Sequence, residues 1–282
     1  MMRIAHLIMT YTSPLLIERM IMAIKHAKFD FYIHVDKKID ITPFLYLSSL
    51  PGVYFIQNRT EVRWAGYNTI LATFKSIKEI CARKINYGYI NFISGQDYPL
   101  KSAAHIYDFF LKNKRMEFVA YKDYKKDWQE GMIRVKRYSM ENFRFKGKYF
   151  VERVINRIMP HRKLPYNYNP YGDSMFWMLS PECASYVVEK VMNDPSLNRF
   201  FRYTWGSDEF VFQTILMNSE YKERLVNNNY RYIDWSAGGS HPKVLGIEDY
   251  EKLKNSEALF GRKFNIDTDA KIIDKLDKLI SS

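Results

Sequence analysis

The amino-acid sequence predicts an α/β fold with a mostly parallel central sheet and helices on both of its faces. In the first hundred residues, short apolar runs typical of buried strands alternate with segments whose apolar residues recur every three or four positions. Strands that alternate with helices in this way usually pair in parallel and are covered on both faces. The length of 282 residues, of which 47% are hydrophobic, suits one large domain with an ample core.

The same periodicity defines the first elements. The predicted strands are Arg3–Met9, Asp30–Val35, Val53–Ile56 and Tyr87–Ser94, and the predicted helices are Pro14–Ala27 and Tyr67–Arg83. Ligands of such sheets bind beyond the carboxyl ends of the strands. This rule directs attention to His34, Val35 and Asp36 at the end of the second strand, and to Gln96 and Asp97 after the fourth.

The second half of the chain contains less regular elements. Ser180 and Pro181 predict a helix that opens with a serine cap and a proline in its first turn. The other predicted elements are strands over Met175–Leu179 and Tyr230–Trp235, a helix over Glu209–Met217, and an amphipathic helix from Asp267 to Ile280. The basic, aromatic and turn-rich segment 123–172 is predicted to be an insertion in the same domain.

The net charge of the chain predicts an anionic partner. The formal charge is +12, and much of the excess lies between Lys112 and Lys163. Nucleic acid, an anionic membrane surface and a phosphorylated small molecule all fit such a charge. For any single lysine in this stretch, a solvated basic face is the simpler interpretation.

The cysteines and the apolar runs bear on the compartment. Cys81 and Cys183 lie far apart in apolar stretches, which is typical of core thiols in a reducing compartment. The N-terminal run is interrupted by His6 and reads as a first strand, not as a signal peptide. No run approaches the roughly 18 apolar residues that cross a bilayer. We predict a cytoplasmic protein, with peripheral contact to the inner face of the membrane as a further expectation.

The sequence offers no convincing metal site, because no His, Cys, Asp or Glu cluster has metal-ligand spacing. The segment 34–36 contains a single carboxylate, and the sole Asp-x-Asp, residues 267–269, begins the last predicted helix. Acidic residues there complement the helix dipole, so we interpret them as structural. If a diphosphate leaves in this protein, arginine and lysine must stabilise it by charge-assisted hydrogen bonds.

Glu209 is the most interesting carboxylate of the chain. It follows Asp208 and precedes an apolar stretch, where desolvation would raise the pKa of a carboxyl group toward that of a general base at neutral pH. Ser207 followed by two acids is also a common helix opening. Spacing alone favours the helix opening.

Three further segments contain candidate phosphate ligands. Arg231 shares a strand face with Ile233 and needs an anionic partner there. Ser240 and His241 follow two glycines in a turn whose amides and basic side chains could hold a phosphate, although a bare loop is the simpler interpretation. Lys263 lies between aromatic residues, where a lysine more often covers apolar surface than binds a ligand.

Seven segments, in sequence order, resemble the core-2/I-branching enzyme family, which includes branching N-acetylglucosaminyltransferases and peptide xylosyltransferases. The segments are YIHVDKK (32–38), VRWAGYN (62–68), INFISGQDYPLK (90–101), GDSMFWMLS (172–180), GSDEFVFQTIL (206–216), RYIDWS…GSHPK (231–243) and LFGRKFNID (259–267). The SGQDYPLK part of the third segment is the most telling. The segment 123–169 has no counterpart that we recognise.

The resemblance implies a GT-A type fold, inversion at the anomeric carbon, and no metal or other cofactor. It implies that Glu209 is the catalytic base and that Arg231 and Lys263 hold the donor diphosphate. The residues that map onto the nucleotide and donor-sugar side are His34, Val35, Asp36, Trp64, Gln96 and Asp97. The single domain 1–282 would then consist of a nucleotide-sugar half, 1–115, and an acceptor-binding and catalytic half, 116–282.

We therefore expect transfer of a sugar, N-acetylglucosamine first, from a UDP-sugar to a hydroxyl of an oligosaccharide or lipid-linked glycan. Animal members carry a membrane anchor and several disulfides, and this chain shows neither, so it resembles compact bacterial members that build surface polysaccharide or glycolipid. Two alternatives stay open. A nucleic-acid-binding protein is disfavoured because no basic helix, RNP-like strand or zinc signature appears. A sugar-binding relative without catalysis is disfavoured by the retained Glu209, Arg231 and Lys263.

Overall fold

The computed structural model describes residues 2–239 and 241–281, so Ser240, a predicted phosphate contact, lies outside the described residues. The strands are β1 (Arg3–Thr10), β2 (Phe29–Val35), β3 (Val53–Phe55), β4 (Tyr87–Ser94), β5 (Asp97–Pro99), β6 (Glu117–Asp123), β7 (Tyr171–Leu179), β8 (Leu225–Val226), β9 (Arg231–Ile233) and β10 (Phe260–Arg262). The α-helices are α1 (Pro14–Ala23), α2 (Tyr67–Ala82), α3 (Ala103–Lys112), α4 (Met132–Lys136), α5 (Lys148–Ile158), α6 (Pro181–Met192), α7 (Pro195–Arg202), α8 (Val211–Met217), α9 (Tyr250–Lys254) and α10 (Ala270–Ser281). Shorter 3-10 turns cover Thr42–Ser49, Gln129–Gly131, Pro165–Asn167, Ser207–Glu209, Glu220–Arg224 and Ile247–Asp249.

The central sheet has seven strands in the order β3-β2-β1-β4-β7-β6-β8. Strand β1 pairs in parallel with β2 and β4, β2 pairs in parallel with β3, and β6 pairs in parallel with β8. Strand β7 runs antiparallel to both of its neighbours, β4 and β6. The predicted α/β class with a mostly parallel sheet is confirmed, and β7 is the local exception.

The two faces of the sheet belong to two separate hydrophobic cores. Successive side chains of a strand point to opposite faces. In β1, Ala5 and Leu7 therefore join the core that α2, α6, α7 and α8 complete, whereas Ile4 and Ile8 join the core of α1, α3, α9 and α10. Because β1 lies between two layers of helices, its sequence is almost continuously apolar. The predicted helices on both faces are confirmed.

A second sheet of three short strands, in the order β5-β10-β9, continues from the end of β4. Strand β10 pairs antiparallel with β5 and parallel with β9. This register sets Arg262 opposite Asp97 and Phe260 opposite Arg231. The small sheet therefore joins three predicted site segments that are distant in the sequence.

The predicted helix openings have different outcomes. Ser180 caps α6, because its Oγ accepts a hydrogen bond from the Cys183 amide at 3.1 Å, as predicted. The carboxylate of Asp269 accepts hydrogen bonds from the first amides of α10, which fits the structural interpretation of the Asp-x-Asp segment. The prediction for Ser207 is wrong: its side chain caps no helix, since residues 207–209 form a separate 3-10 turn before α8 begins.

Within the described residues, no helix combines the length and the apolar character needed to cross a membrane. Cys81 and Cys183 are both free thiols, in α2 and α6 respectively. Their placement in helices that pack on the first core matches the interpretation of these cysteines as core residues.

Candidate active site

Glu209 lies in a tight turn between Trp205 and α8. Gly206 adopts a left-handed conformation with φ of 62°, which a glycine adopts without steric cost. Its amide donates a 2.8 Å hydrogen bond to the carbonyl of Ala65. A Cβ at this position would lie 3.1 Å from Nη1 of Arg134. Glycine therefore both allows the turn and leaves room for this arginine.

Gly172 in β7 lets the strand pack closely against the same turn. A Cβ at Gly172 would lie 2.3 Å from Cβ of Phe210, 2.4 Å from Oη of Tyr124 and 2.8 Å from the carbonyl oxygen of Glu209. No real side chain tolerates such distances, so a larger residue would displace the turn. The position of Glu209 is thus determined by the packing of β7.

Arg134, on α4, orients the Glu209 carboxylate. Its Nη1 donates a 2.5 Å hydrogen bond to Oε2 of Glu209. The guanidinium lies 4.8 Å from the ring centroids of both Trp128 and Trp205, which is a cation–π arrangement. The Glu209 side chain is 38% exposed. One carboxylate oxygen is therefore held by the protein while the group stays accessible to a substrate.

Asp208, next to Glu209, is in a different environment. Burial, and secondly the negative charge of Glu209, raise the pKa of Asp208 to about 7. Its Oδ1 is enclosed and makes no hydrogen bond with any described residue. In this turn, Oδ1 of Asp208 is therefore enclosed, whereas the Glu209 side chain is 38% exposed.

Trp64 connects the predicted donor side with this turn. Its ring packs edge-on against the ring of Trp205, with 5.3 Å between the ring centroids. The centroid of the His241 ring lies 5.9 Å from that of Trp64. The Trp64 side chain remains 60% exposed. The structure therefore brings together three sequence-predicted segments, which contain Trp64, Glu209 and His241, around an exposed aromatic surface.

His34 and Asp36 hold the loop that follows β3 against the end of β2. Nε2 of His34 accepts a 3.0 Å hydrogen bond from the Thr60 amide, and burial lowers the pKa of His34 to about 4, so the ring is a neutral acceptor. Oδ1 of Asp36 accepts a 3.2 Å bond from the Val62 amide. Both side chains therefore fix the loop at the carboxyl end of β2.

Arg59 completes the same strand end and was not predicted. Its Nε donates to the carbonyl of Val35 at 2.9 Å, and its Nη2 donates to the carbonyls of Asp36 at 2.8 Å and Ile39 at 2.5 Å. Val35 thus contributes a backbone carbonyl, not a side chain, to this end of the sheet. No feature of the sequence distinguishes Arg59 from the many other basic residues.

Asp97 is buried and satisfied within the protein. Its carboxylate accepts hydrogen bonds from Oγ of Ser94 at 2.7 Å, from the Ser94 amide at 3.1 Å and from Nη1 of Arg262 at 2.8 Å. Gln96 lies beside it, and its Oε1 accepts a 3.3 Å hydrogen bond from Oη of Tyr11. Asp97 therefore positions Arg262 at the end of β4, while Gln96 lies closer to the surface.

The guanidinium of Arg231 is buried and uses protein acceptors. Its Nη2 donates to Oδ1 of Asn91 at 2.5 Å and to the carbonyl of Phe92 at 3.2 Å, and its Nη1 donates to the carbonyl of Asn229 at 2.9 Å. Burial lowers the pKa of Arg231 to about 10. A diphosphate bound to Nη1 or Nη2 would displace these bonds, whereas Nε is enclosed without a partner among the described residues, and the role of Arg231 stays a prediction.

Lys263 differs from Arg231 in having an uncommitted side chain. Its Nζ makes no hydrogen bond or ion pair with any residue of the described ranges, and burial followed by the charge of Arg262 lowers the pKa of Lys263. Its carbonyl accepts a 2.8 Å hydrogen bond from the Leu245 amide, which attaches the loop after β9 to this position. The ammonium group of Lys263, next to Arg262, therefore has N–H donors that no described residue uses.

Between residues 2 and 239 and between 241 and 281, no group of three or more His, Cys, Asp or Glu side chains is arranged to hold a metal ion. The predicted independence from metal was not tested by this finding and stays a prediction. Cationic side chains contact predicted donor residues directly: Arg262 pairs with Asp97, and Arg59 donates to the carbonyls of Val35 and Asp36.

Besides Arg59, the sequence reasoning missed Arg134 and Arg262. Arg134 lies in the basic segment, where nothing singles it out, because its partner Glu209 is 75 positions away. Arg262 directly precedes Lys263, and the register of β10 with β5 is what aims it at Asp97. A pairing of this kind depends on tertiary packing, so the pattern of the chain contains no local signal for it.

Comparisons with known proteins identify relatives of the whole chain. A family model described as "Core-2/I-Branching enzyme" matches residues 4–255. Xylosyltransferase 2 of Rattus norvegicus is 24% identical over 98% of this chain and 33% of the relative's length. Xylosyltransferase oxt of Drosophila melanogaster is 22% identical over 88% of this chain and 30% of its own length. The chain thus spans about a third of the length of these relatives.

Solved structures with similar folds include two sugar transferases. The galactosyltransferase LgtC in complex with donor and acceptor sugar analogs aligns over 99% of this chain and 95% of its own, with 8% identity and a TM-score of 0.48. Mouse xyloside xylosyltransferase 1 in its apo form aligns over 92% and 97%, with 12% identity and a TM-score of 0.41. Likenesses of this strength carry no argument about donor, acceptor or stereochemistry.

Proposed function

Because this chain belongs to the Core-2/I-Branching enzyme family of glycosyltransferases and has the predicted GT-A type α/β fold, we propose that it transfers a sugar from a UDP-sugar to a hydroxyl of a glycan acceptor, with inversion and without a metal ion. The observation that carries the proposal is the Glu209 carboxylate, which is accessible and oriented by Arg134. An oriented, accessible carboxylate is the group that a single in-line displacement requires as its base.

In the proposed reaction, Glu209 takes the proton of the acceptor hydroxyl as that oxygen attacks the anomeric carbon. The bond from the anomeric carbon to the diphosphate oxygen breaks on the opposite face, and its electron pair leaves with UDP. Arg134 uses Oε2 of Glu209, and no described residue donates to the other carboxylate oxygen. Oε1 is therefore the atom that receives the proton.

Positive side chains stabilise the departing diphosphate in this proposal. Lys263 is the first candidate, because its Nζ has no partner among the described residues and Arg262 lies beside it. Preorganised cations aimed at developing negative charge often supply the largest part of catalysis. Arg231, which the family resemblance pairs with Lys263, would have to exchange its bonds to Asn91 and Asn229 for phosphate oxygens.

Two donor sugars have priority. N-acetylglucosamine is the sugar expected from the resemblance to the branching enzymes. The relatives from Rattus norvegicus and Drosophila melanogaster are named xylosyltransferases, so xylose is the second candidate. UDP-galactose, UDP-glucose and UDP-glucuronic acid complete the set to be compared.

The proposed acceptor is an oligosaccharide or lipid-linked glycan of a bacterial surface polysaccharide or glycolipid.

Helix α5 supports contact of this protein with the membrane. None of the residues of α5 is buried. Phe150, Val154 and Ile158 repeat at a spacing of four and are 67%, 38% and 70% exposed. With the net charge of +12, this apolar ridge fits an anionic bilayer surface. Two free cysteines agree with the expected cytoplasmic location.

The two alternatives from other classes are separated from this proposal by simple measurements. A nucleic-acid-binding protein would retard a random oligonucleotide in a salt-dependent manner. A sugar-binding relative without catalysis would bind a UDP-sugar and never release UDP. Membership in an enzyme family and the oriented Glu209 favour the transferase.

The decisive experiment is a donor panel in excess EDTA. We expect one of the UDP-sugars named above to raise the melting temperature of the protein and to release UDP slowly by hydrolysis. Failure of every donor in both measurements would refute the proposed function. Activity that EDTA abolishes and Mg²⁺ or Mn²⁺ restores would remove metal independence alone.

A further inference from the structure

A cavity of about 550 Å³ opens next to the Glu209–Arg134 pair and is lined by side chains of the basic segment. Arg134 of α4, which pairs with Glu209, and Trp205, which precedes the turn of Glu209, form one of its walls, and α5 forms another. Its lining residues all come from positions 133–161 and from Trp205, so no residue at the carboxyl ends of β1, β2 or β4 contributes. The cavity therefore contains none of the predicted donor residues, and it adjoins them only where Trp205 contacts Trp64.

The wall formed by α5 is fixed to the segment opposite it. Asn156 accepts a hydrogen bond from the Tyr138 amide at 2.8 Å and donates one to the Tyr138 carbonyl at 2.8 Å. Oε2 of Glu152 accepts a 2.7 Å bond from the Met140 amide. These bonds hold the helix in place without using its arginines, so the cavity exists before any ligand arrives.

The charge of the lining is strongly positive. It contains Arg134, Arg137, Arg153 and Arg157 against a single carboxylate, that of Glu152. Arg134 is paired with Glu209, but the side chains of Arg137, Arg153 and Arg157 form no ion pair within the described ranges. These three arginines are exposed to solvent, and together they give the mouth of the cavity a positive potential that attracts an anion.

We propose that this cavity is an acceptor subsite for an oxyanion, either a phosphate or a carboxylate, carried by the acceptor glycan close to its reactive hydroxyl. The inference rests on the proposed function and names the acceptor class of that same site. Arginine binds planar carboxylates and phosphates in bidentate fashion, and Arg153 and Arg157 lie one helical turn apart on α5. Since Arg134 borders both sites, an anion held here would place the neighbouring sugar beside Glu209.

The test uses small charged sugars as probes of the folded 282-residue chain. Glucose 1-phosphate, glucuronic acid and neutral methyl glucoside are titrated by NMR in saturating UDP, so that the donor site does not compete for the probes. We expect one or both charged probes to bind and methyl glucoside to bind far more weakly. Binding by only one charged probe identifies whether phosphate or carboxylate is preferred.

The same titrations are repeated with Arg153→Gln, Arg157→Gln and, as a matched control outside the cavity, Arg199→Gln on α7. We expect each cavity variant to weaken binding of the charged probe about tenfold, because one charge-assisted contact is lost, and the control to bind as the parent does. Equal affinity in cavity and control variants, or no binding of either charged probe, overturns the inference. Loss of UDP binding would count against the proposed function instead, and the comparison of variants would still decide the inference.

Discussion

Nη1 of Arg134 and Oε2 of Glu209 lie 2.5 Å apart, and the same guanidinium lies over the rings of Trp128 and Trp205. One arginine therefore fixes the orientation of the candidate base and packs the aromatic residues beside it. Because the Glu209 side chain is 38% exposed, its replacement should affect chemistry more than folding, whereas the Arg134 side chain is only 15% exposed and also contributes to packing.

Replacing Glu209 with glutamine removes the proposed base while keeping its shape. We expect turnover to fall roughly 10²–10⁴-fold, because no group would then accept the acceptor proton in the transition state. UDP affinity, measured by calorimetry, should be unchanged. Glu220→Gln, an exposed position, is the matched control. Full turnover by the Glu209 variant would show that another group is the base.

Replacing Arg134 with glutamine tests the positioning of Glu209. We expect kcat to fall roughly 10–10²-fold with little change in the KM for the donor, because a base displaced by about 1 Å loses its attack geometry. Tryptophan fluorescence should change as well, since the guanidinium that lies over the rings of Trp128 and Trp205 would be absent. Lys136→Gln, on the same helix, controls for the lost charge. An equal effect of both variants would indicate a general electrostatic cause.

Lys263→Gln tests the stabilisation of the leaving group. We expect kcat to fall about 10²-fold or more, as when one donor to a developing oxyanion is removed, together with weaker binding of UDP. This combination differs from that expected for the Glu209 variant, which should retain UDP. Lys254→Gln, at an exposed position on α9, is the control. Unchanged kcat and UDP affinity would rule out the role of Lys263.

The raised pKa of Asp208 predicts a pH dependence of stability. Its pKa rises from 3.8 in an exposed group to about 7 in the folded protein, so the folded state binds the proton more tightly than the unfolded state. Its contribution to stability is complete below pH 3.8 and is lost progressively as the pH rises toward about 7. Urea titrations of Asp208→Asn should therefore show a smaller decline of the unfolding free energy across this range.

The control for this measurement is Asp108→Asn, on the exposed side of α3. The unfolding free energy of this variant should decline with rising pH as that of the parent protein does. If the Asp208 variant also follows the parent curve, the carboxyl group is not buried in the protonated form, and the assignment of distinct environments to the two acids of the turn fails.

The exposed ridge of α5 predicts binding to anionic vesicles at low salt. Phe150→Ser combined with Ile158→Ser should weaken flotation with phosphatidylglycerol vesicles roughly tenfold or more, because two large side chains no longer enter the bilayer interface. Leu15→Ser combined with Leu45→Ser, also exposed, should float as the parent does. Equal flotation of both double variants would exclude α5 as the contact.

The strands and helices were largely predictable because their patterns are local. The apolar run of β1 reflects burial on both faces of the strand. The apolar residues of α2, spaced three or four apart, reflect burial on one face of the helix. Both patterns are visible in a short window of sequence. The opening of α8 was predicted wrongly for the opposite reason. The chain turns at Gly206 to fit against Gly172, a residue of a distant strand, so the local preference of Ser207 for a cap did not decide the structure.

By itself, the sequence determined the α/β class, the helices on both faces and the segments that meet at the site, because hydrophobic periodicity and turn residues act over a few positions. Only the tertiary structure decided which side chains face one another. It paired Arg134 with Glu209, enclosed Arg231 among carbonyls and left Nζ of Lys263 without a partner in the described part of the chain. Such pairings depend on close packing between residues far apart in the chain, and a pattern along the sequence does not record those distances.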